Sequence, residues 1–375
     1  MTRLSAANCL LIFGLLVVAA LDREPAGAQV LPEYGAIRKG IGKPGPMKFP
    51  EISTPKSAKQ PIGDIAFVHK GDIYTVTLDG KHIRWLTRDG RNAFPVWSPT
   101  GRHIAFTKAK VIGGKFPSAF LQIITPDGKF SRALTQPRRY EAVYPVAWLP
   151  DGKGLLVGIH YLESDVGSEL RVVTLDGKPY SRYQTWIKVG REAGFLKERT
   201  VDEPWEFTPG QAAAFSPDGK KMLFTASTEY FVDCARFDLY CIAFDGSNLR
   251  RVETLPRFWI NCLRWHPKGR KLLSAEEHYP QDPEVGKYEA GIWLRDAGGK
   301  VLKKLVATTT ASFSGMDWSP KGDYIIFQMT DSKYPRFEHP GDFANLSAHS
   351  SIWVMKADGS GKYKLADNAC HPNWR

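Results

Sequence analysis

Trp97-Ser98-Pro99-Thr100-Gly101 leads into the apolar run Ile104-Ala105-Phe106, and the same phrase returns along the chain. Its other copies are Trp148-Leu149-Pro150-Asp151-Gly152, Phe215-Ser216-Pro217-Asp218-Gly219, Trp265-His266-Pro267-Lys268-Gly269 and Trp318-Ser319-Pro320-Lys321-Gly322. A sixth copy has only begun when the chain stops at Pro372-Asn373-Trp374-Arg375. The aromatic anchors lie 51, 67, 50, 53 and 56 residues apart. A four-stranded propeller blade takes roughly 40–50 residues, so each interval accommodates one blade and its loops.

Each copy has a second half. Ile73-Tyr74-Thr75-Val76 runs into Asp79-Gly80, and matching turns stand at Asp127-Gly128, Asp176-Gly177, Asp245-Gly246, Gly298-Gly299 and Asp358-Gly359. Asp-Gly between β-rich runs marks a hairpin, because glycine accepts the positive φ of a tight turn. In Pro-Asp-Gly the proline presets φ for the first hairpin of the unit. Each unit therefore reads as strand a ending in the aromatic anchor, a tight turn, strand b, a loop, strand c, an Asp-Gly turn and strand d. Residues 64–88 supply strands b, c and d with no strand a before them, and Asn368–Trp374 supplies the missing strand. Pairing the two chain ends removes exposed sheet edges. The expectation is an all-β, six-bladed β-propeller closed by its N- and C-terminal strands over residues 61–375. A seven-bladed alternative would have to hide a blade in the 148-to-215 interval, whose surplus is only about half a blade.

These phrases resemble the TolB-type propeller repeat, a WD40-like repeat whose signature is Trp-Ser-Pro-Asp-Gly. Ala93-Phe94-Pro95-Val96-Trp97-Ser98-Pro99 followed by Ile104-Ala105-Phe106 carries the resemblance most closely. It implies a periplasmic or otherwise extracytoplasmic protein. The Tol-system protein has an α/β domain before its propeller, where this chain offers a Pro/Gly-rich arm.

The N-terminus agrees with export. Arg3 precedes an apolar run from Leu10 to Leu21, followed by the small-residue pattern Ala26-Gly27-Ala28, so residues 1–28 read as a secretory signal peptide. An uncleaved anchor is the alternative; no later stretch has spanning length, so no transmembrane segment is expected after cleavage. Residues 29–60 hold Arg38, Lys39, Lys43, Lys48, Lys56 and Lys59 against Glu33 and Glu51, and read as a basic extended arm. The net charge of +12 would suit nucleic acid, but export argues against that partner. An acidic exported protein or an anionic envelope surface is expected instead. Oxidising conditions allow disulfides, and of Cys234, Cys241, Cys262 and Cys370 the first two are the candidate pair. No Cys-x-x-Cys-His is present, so no covalent haem is expected.

The tight turns share one face and are uniform, whereas the irregular sequence falls on the other. Its loops are expected near 107–119, 158–168, 226–237, 275–289 and 329–350. Loops on a rigid scaffold are where binding normally sits. Loops 275–289 and 329–350 offer Glu276, Glu277, His278, Asp282 and Glu284 beside Asp331, Glu338, His339 and Asp342. From these, Glu277, His278, Asp282 and Asp342 are a candidate site for calcium or another divalent cation, though as a set without fixed spacing they also read as solvated loops. Phe116, Tyr161, Tyr230, Phe231, Tyr279, Tyr334, Phe337 and Phe343 crowd the same loops as a candidate partner-binding patch or as loop packing. Glu253, in the linker Arg250–Pro256, could project a carboxylate to a partner. The a strands are expected to present Asn92, Glu141, Gln211, Asn261, Ser312 and Asn368 to the irregular mouth of the channel, with His266 and His371 structural at the other end.

No Gly-x-Ser-x-Gly elbow occurs and no hydrolase domain follows, which argues against a prolyl-oligopeptidase arrangement. The leading expectation is a non-catalytic binding or scaffold subunit in a complex of exported proteins. One version is an accessory propeller of a periplasmic redox complex, similar to the haem-free propeller subunit of hydrazine synthase. The rivals are a metal-dependent hydrolase or lyase at the channel mouth, and a carbohydrate- or peptidoglycan-binding module.

Overall fold

The structure, a computed structural model, describes residues 65–80, 82–113, 116–161, 168–176, 208–231, 234–245, 247–255, 258–278, 288–331 and 347–375. The expected signal peptide and basic arm lie outside these residues.

The chain lays down antiparallel strands in the order that the repeat dictates. The first group is β1 (Ile65–His69), β2 (Asp72–Val76) and β3 (Arg84–Trp85). The second is β4 (Asn92–Trp97), β5 (Ile104–Ile112), β6 (Phe116–Ile124) and β7 (Ser131–Ala133). The third holds β8 (Glu141–Trp148), β9 (Gly154–Tyr161) and β10 (Ser168–Thr174), and the fourth β11 (Thr208–Phe215), β12 (Lys221–Phe231), β13 (Cys234–Ala243) and β14 (Arg250–Leu255). The fifth is β15 (Phe258–Trp265), β16 (Lys271–His278), β17 (Glu289–Asp296) and β18 (Val301–Thr308). The last is β19 (Ala311–Trp318), β20 (Tyr324–Asp331), β21 (Ser350–Lys356) and β22 (Tyr363–Asp367), followed by the single strand β23 (Cys370–Trp374).

That final strand returns to the beginning. β23 pairs antiparallel with β1, placing Ile65 opposite Trp374 and Val68 opposite Cys370, so the first sheet runs β23-β1-β2-β3. The second and third groups join into one sheet through the single parallel pair Ala119 and Ala142. Strand a of each group touches the next in the order β4, β8, β11, β15, β19, β23, and β23 touches β4 again.

The recurring phrase explains each blade's first corner. In all five complete copies the turn glycine N–H bonds the carbonyl of the phrase's second residue, three positions earlier, as in Gly101 to Ser98 (2.9 Å) and Gly219 to Ser216 (2.8 Å). Gly219 sits at φ +68, which only glycine adopts without penalty. Where serine occupies the second position its hydroxyl closes the turn from inside, accepting from the N–H groups of His103, Lys221 and Tyr324.

The anchor indoles then tie blade to blade. Trp148 Nε1 donates to the Val96 carbonyl (2.9 Å), Trp265 Nε1 to Ala214 (3.0 Å) and Trp318 Nε1 to Arg264 (3.2 Å). Each bond spans 51 to 54 residues and links the anchor to the residue just before the preceding anchor. Buried Trp satisfies its one donor this way while filling an apolar slot that a single sheet cannot provide. Between sheets the core is apolar: Ile65, Phe67 and Val76 pack on Ile326, Ile352 and Val354, all buried. Fully burying such a side chain contributes about 1.5–3 kcal/mol.

Two expectations are corrected. The b–c hairpins run further than the sequence suggests, so Phe116, Tyr161, Tyr230, Phe231, Glu276, Glu277 and His278 lie on strands rather than in loops. Their aromatic and β-branched neighbours favour the pleated backbone, and polar residues are carried along in register. Cys234 and Cys241 do not flank a loop. Both belong to β13, seven residues apart, which at about 3.3 Å per residue is far beyond disulfide reach, and Cys241 carries a free, buried thiol.

Candidate functional site: the central channel

The a strands converge on a cavity of about 90 Å³. Every group contributes to its wall, from Phe94 and Val96 through Tyr144, Ala212, Asn261 and Ser314 to His371. The strands reach it by kinking. The β4–β5, β8–β9, β11–β12, β15–β16 and β19–β20 ladders each slip register midway along strand a. Phe94 and His371, at equivalent places before a proline, adopt φ of +54 and +51, an uncommon conformation for residues with a Cβ. Bulges of this kind re-aim side chains, here inward. The Phe94 and His371 rings meet at 4.2 Å, and Phe94 also contacts Tyr144 at 6.4 Å. Room for Tyr144 comes from its cross-strand partner Gly158, where a Cβ would lie 2.1 Å from the ring.

The wall is polar on one side only. The residue before each anchor is Val96, Ala147 or Ala214 in three consecutive groups, and Arg264, Asp317 or Asn373 in the other three. In the polar half, side chains cap the anchors' backbone. Asn373 Oδ1 accepts from the Trp97 N–H (2.6 Å) and its Nδ2 donates to Asp317 Oδ2 (2.5 Å). Asp317 Oδ2 also accepts from the Trp374 N–H (3.1 Å), and its Oδ1 from the Trp318 N–H (2.9 Å). Arg264 has no acceptor, so it cannot cap Trp318 as Asp317 caps Trp374. Burial raises the Asp317 pKa, while Arg264 and these N–H groups pull it the other way. The His371 imidazole is pushed down to about 3 by burial, and the Tyr144 hydroxyl up to about 12, so both are uncharged at neutral pH.

The sequence candidates are distributed elsewhere. Of the residues expected at the channel mouth, the side chain of Gln211 lies outside the described ones, and among the other five only Asn261 lines the cavity. Asn92 turns toward the preceding blade, its amide donating to Asp72 of β2 and to Asp89 of the connecting turn. His371, expected at the far end, faces the cavity. Arg264, Tyr144 and His371 were missed because the bulges reverse the simple alternation of a strand. The signal that could have found Tyr144 and His371 is the aromatic-Pro sequence shared by Phe94-Pro95, Tyr144-Pro145 and His371-Pro372; Arg264 has no such mark.

Glu277 and His278 are successive residues of β16 and face opposite sides of it, so the fold does not bring them together. Glu277 accepts from Asn261 Nδ2 (2.6 Å). His278 Nε2 bonds Glu276 Oε2 (2.9 Å). Among the described residues no three His, Cys, Asp or Glu side chains gather as a metal site, and Asp282 and Asp342 lie outside those residues. Of the aromatic candidates, Tyr279, Tyr334, Phe337 and Phe343 also lie outside them. Glu253 is on strand β14 rather than in a linker, and its carboxylate is held by Arg295 Nη1 at 2.5 Å.

Arg295 is the centre of a buried polar cluster that the sequence did not reveal. It is fully buried, donating to Glu253, to Glu276 Oε1 through Nη2 (2.6 Å), to Ser274 Oγ (2.8 Å) and to the Gly299 carbonyl (2.7 Å). Burial works against the Glu276 charge, but bonds from His278, Arg295 and Ser274 outweigh it and hold the carboxyl below its ordinary value. Joining strand β14 of one blade to β16 and β17 of the next, this cluster is an inter-blade tie.

Antiparallel four-stranded sheets arranged with their first strands around a channel define a β-propeller. No family model matches the chain. It is similar, at 30% identity over 182 residues, to an uncharacterized peptidase, YuxL, of Bacillus subtilis (strain 168); the match covers 44% of this chain and 26% of that protein. The chain thus spans about a quarter of that relative's length. Among solved structures, a putative TolB from Agrobacterium tumefaciens superposes with a TM-score of 0.48 at 18% identity, covering 78% of this chain and 86% of that one. A chain of a nidogen/laminin complex gives 0.46 at 12% identity, covering 83% and 97%. Oligogalacturonate lyase in complex with manganese gives 0.43 at 15%, covering 79% and 70%. Among the described residues no helix is long and apolar enough to cross a membrane.

Proposed function

We propose that this chain is a six-bladed propeller, shut by its first and last segments, that acts as an exported, non-catalytic binding subunit of an extracytoplasmic complex. The observation that carries this reading is the return of β23 to β1 at one end of the sheet order and to β4 at the channel. A ring so fastened is a stiff frame, and stiffness suits a surface that must present loops in fixed relation. The six a strands that line one cavity support the blade count. The Arg295 cluster serves the frame, since a carboxylate locked to a buried guanidinium is poorly suited to reach into a partner. The secretory pattern of residues 1–28 and the basic arm support an exported site of action and an acidic partner.

The test is purification from the native source under mild conditions, with crosslinking and size-exclusion chromatography. A stable hetero-complex whose crosslinks fall on the b–c loops and residues 29–60 is expected. A monomer throughout would argue against the reading.

A further inference from the structure

The channel contains one chemical feature that the frame does not use. Among the described residues Arg264 is the only charged side chain lining the cavity, and it is half-buried there. Among the described residues its only hydrogen bond is from Nη1 to the Leu263 carbonyl (2.8 Å), leaving four of the five guanidinium donors of such a group without a protein partner. Asp317, the nearby opposite charge, does not form an ion pair with it, because its oxygens are turned to Asn373, Trp374 and Trp318. A desolvated guanidinium strongly favours a planar, bidentate acceptor. The rest of the wall is apolar or uncharged: Phe94, Pro145, Val146, Cys262 and Tyr144.

We propose that the channel is a binding site for a small free monocarboxylate, with the carboxylate forked on Arg264 and a short apolar tail against Val146, Tyr144 and Phe94. The volume, about 90 Å³, sets the scale at a few carbon atoms, since a single water needs about 10–15 Å³ on the same measure. The assignment is independent of the partner-binding reading, because it concerns the channel interior and not the loops.

Titration calorimetry of the full-length mature protein with acetate, propionate and butyrate, at constant ionic strength in chloride, tests it. Affinity should rise by about fourfold per added methylene, the factor that burying one CH2 gives. Arg264→Met should abolish binding, and Arg264→Lys, which keeps the charge but loses the fork, should weaken it at least several-fold. Val146→Phe, which fills the cavity while leaving Arg264 in place, should also abolish it and covers the case of an Arg264 variant that does not fold. Binding that is indifferent to tail length, or that survives Val146→Phe, would overturn the proposal, as would heats no different from those of chloride alone.

Discussion

Asn373 and Trp97, 276 residues apart, are joined by a 2.6 Å hydrogen bond from the Trp97 backbone N–H to the Asn373 side-chain oxygen. The same side chain donates to Asp317, so one amide at the end of the chain holds strands of the second and last complete sheets against the returning strand. The arrangement concentrates the contacts between β23, β4 and β19 in a few buried polar atoms. The loss of any of them leaves a buried group unsatisfied.

Asn373→Ala should therefore cost about 2–4 kcal/mol, since it orphans both the Trp97 N–H and part of the Asp317 carboxylate. Asn373→Asp keeps the acceptor for Trp97 but sets a second carboxylate against Asp317, and should be worse at neutral pH than in mild acid. Urea unfolding at pH 7 and pH 5 measures both. Equal stability of the Asp variant at the two pH values, relative to the parent, would contradict the assignment.

Stability should fall on acidification well before most carboxylates titrate. With its folded pKa near 3, below the ordinary 6.5, His371 refuses a proton that the unfolded chain accepts. Its contribution is complete above pH 6.5 and declines as pH drops towards 3, by about 1.4 kcal/mol per unit for one proton. His69, His103 and His266 are also lowered and add to the parent's slope. His371→Asn, a residue that tolerates φ +51, should remove one proton's share of that slope between pH 6.5 and 4.5.

Gly158→Ala should destabilise by about 1–3 kcal/mol, because the added methyl enters the Tyr144 ring. In a Tyr144→Ala background the same change should cost less than about 1 kcal/mol. A double-mutant cycle by chemical denaturation decides, and additive costs would show that the contact is not the cause.

Arg295→Met should cost about 3–5 kcal/mol by stranding Glu276, and adding Glu276→Gln and Glu253→Gln should restore much of the loss. Because Glu276 is held below its ordinary value of 4.5, its contribution is present above that pH and is lost as pH falls through the folded value. Glu276→Gln should accordingly flatten the acid limb of stability below about pH 4.5, read from denaturation midpoints.

The repeat itself was legible in the chain because a blade is a local object. A Trp, a Ser-Pro-x-Gly turn and an Asp-Gly turn declare their strands within 50-odd residues, and Asn368–Trp374 reads as the strand a that residues 64–88 lack, a pairing that β23 and β1 make. The channel site was not legible in the same way. The sequence grouped Glu277 with His278, yet the two-residue period of a strand sends them to opposite sides. It also placed Cys234 and Cys241 around a loop that the extended hairpin removes. Nothing local distinguishes Arg264, Asp317 and Asn373 from solvent-facing polar residues; they acquire their roles only where six strands meet. Sequence determined the unit and its order, because turn chemistry and alternation act between neighbours. Tertiary structure alone decided which side chains share the channel, because bulges re-aim them and the return of β23 to β1 and β4 brings together atoms hundreds of residues apart.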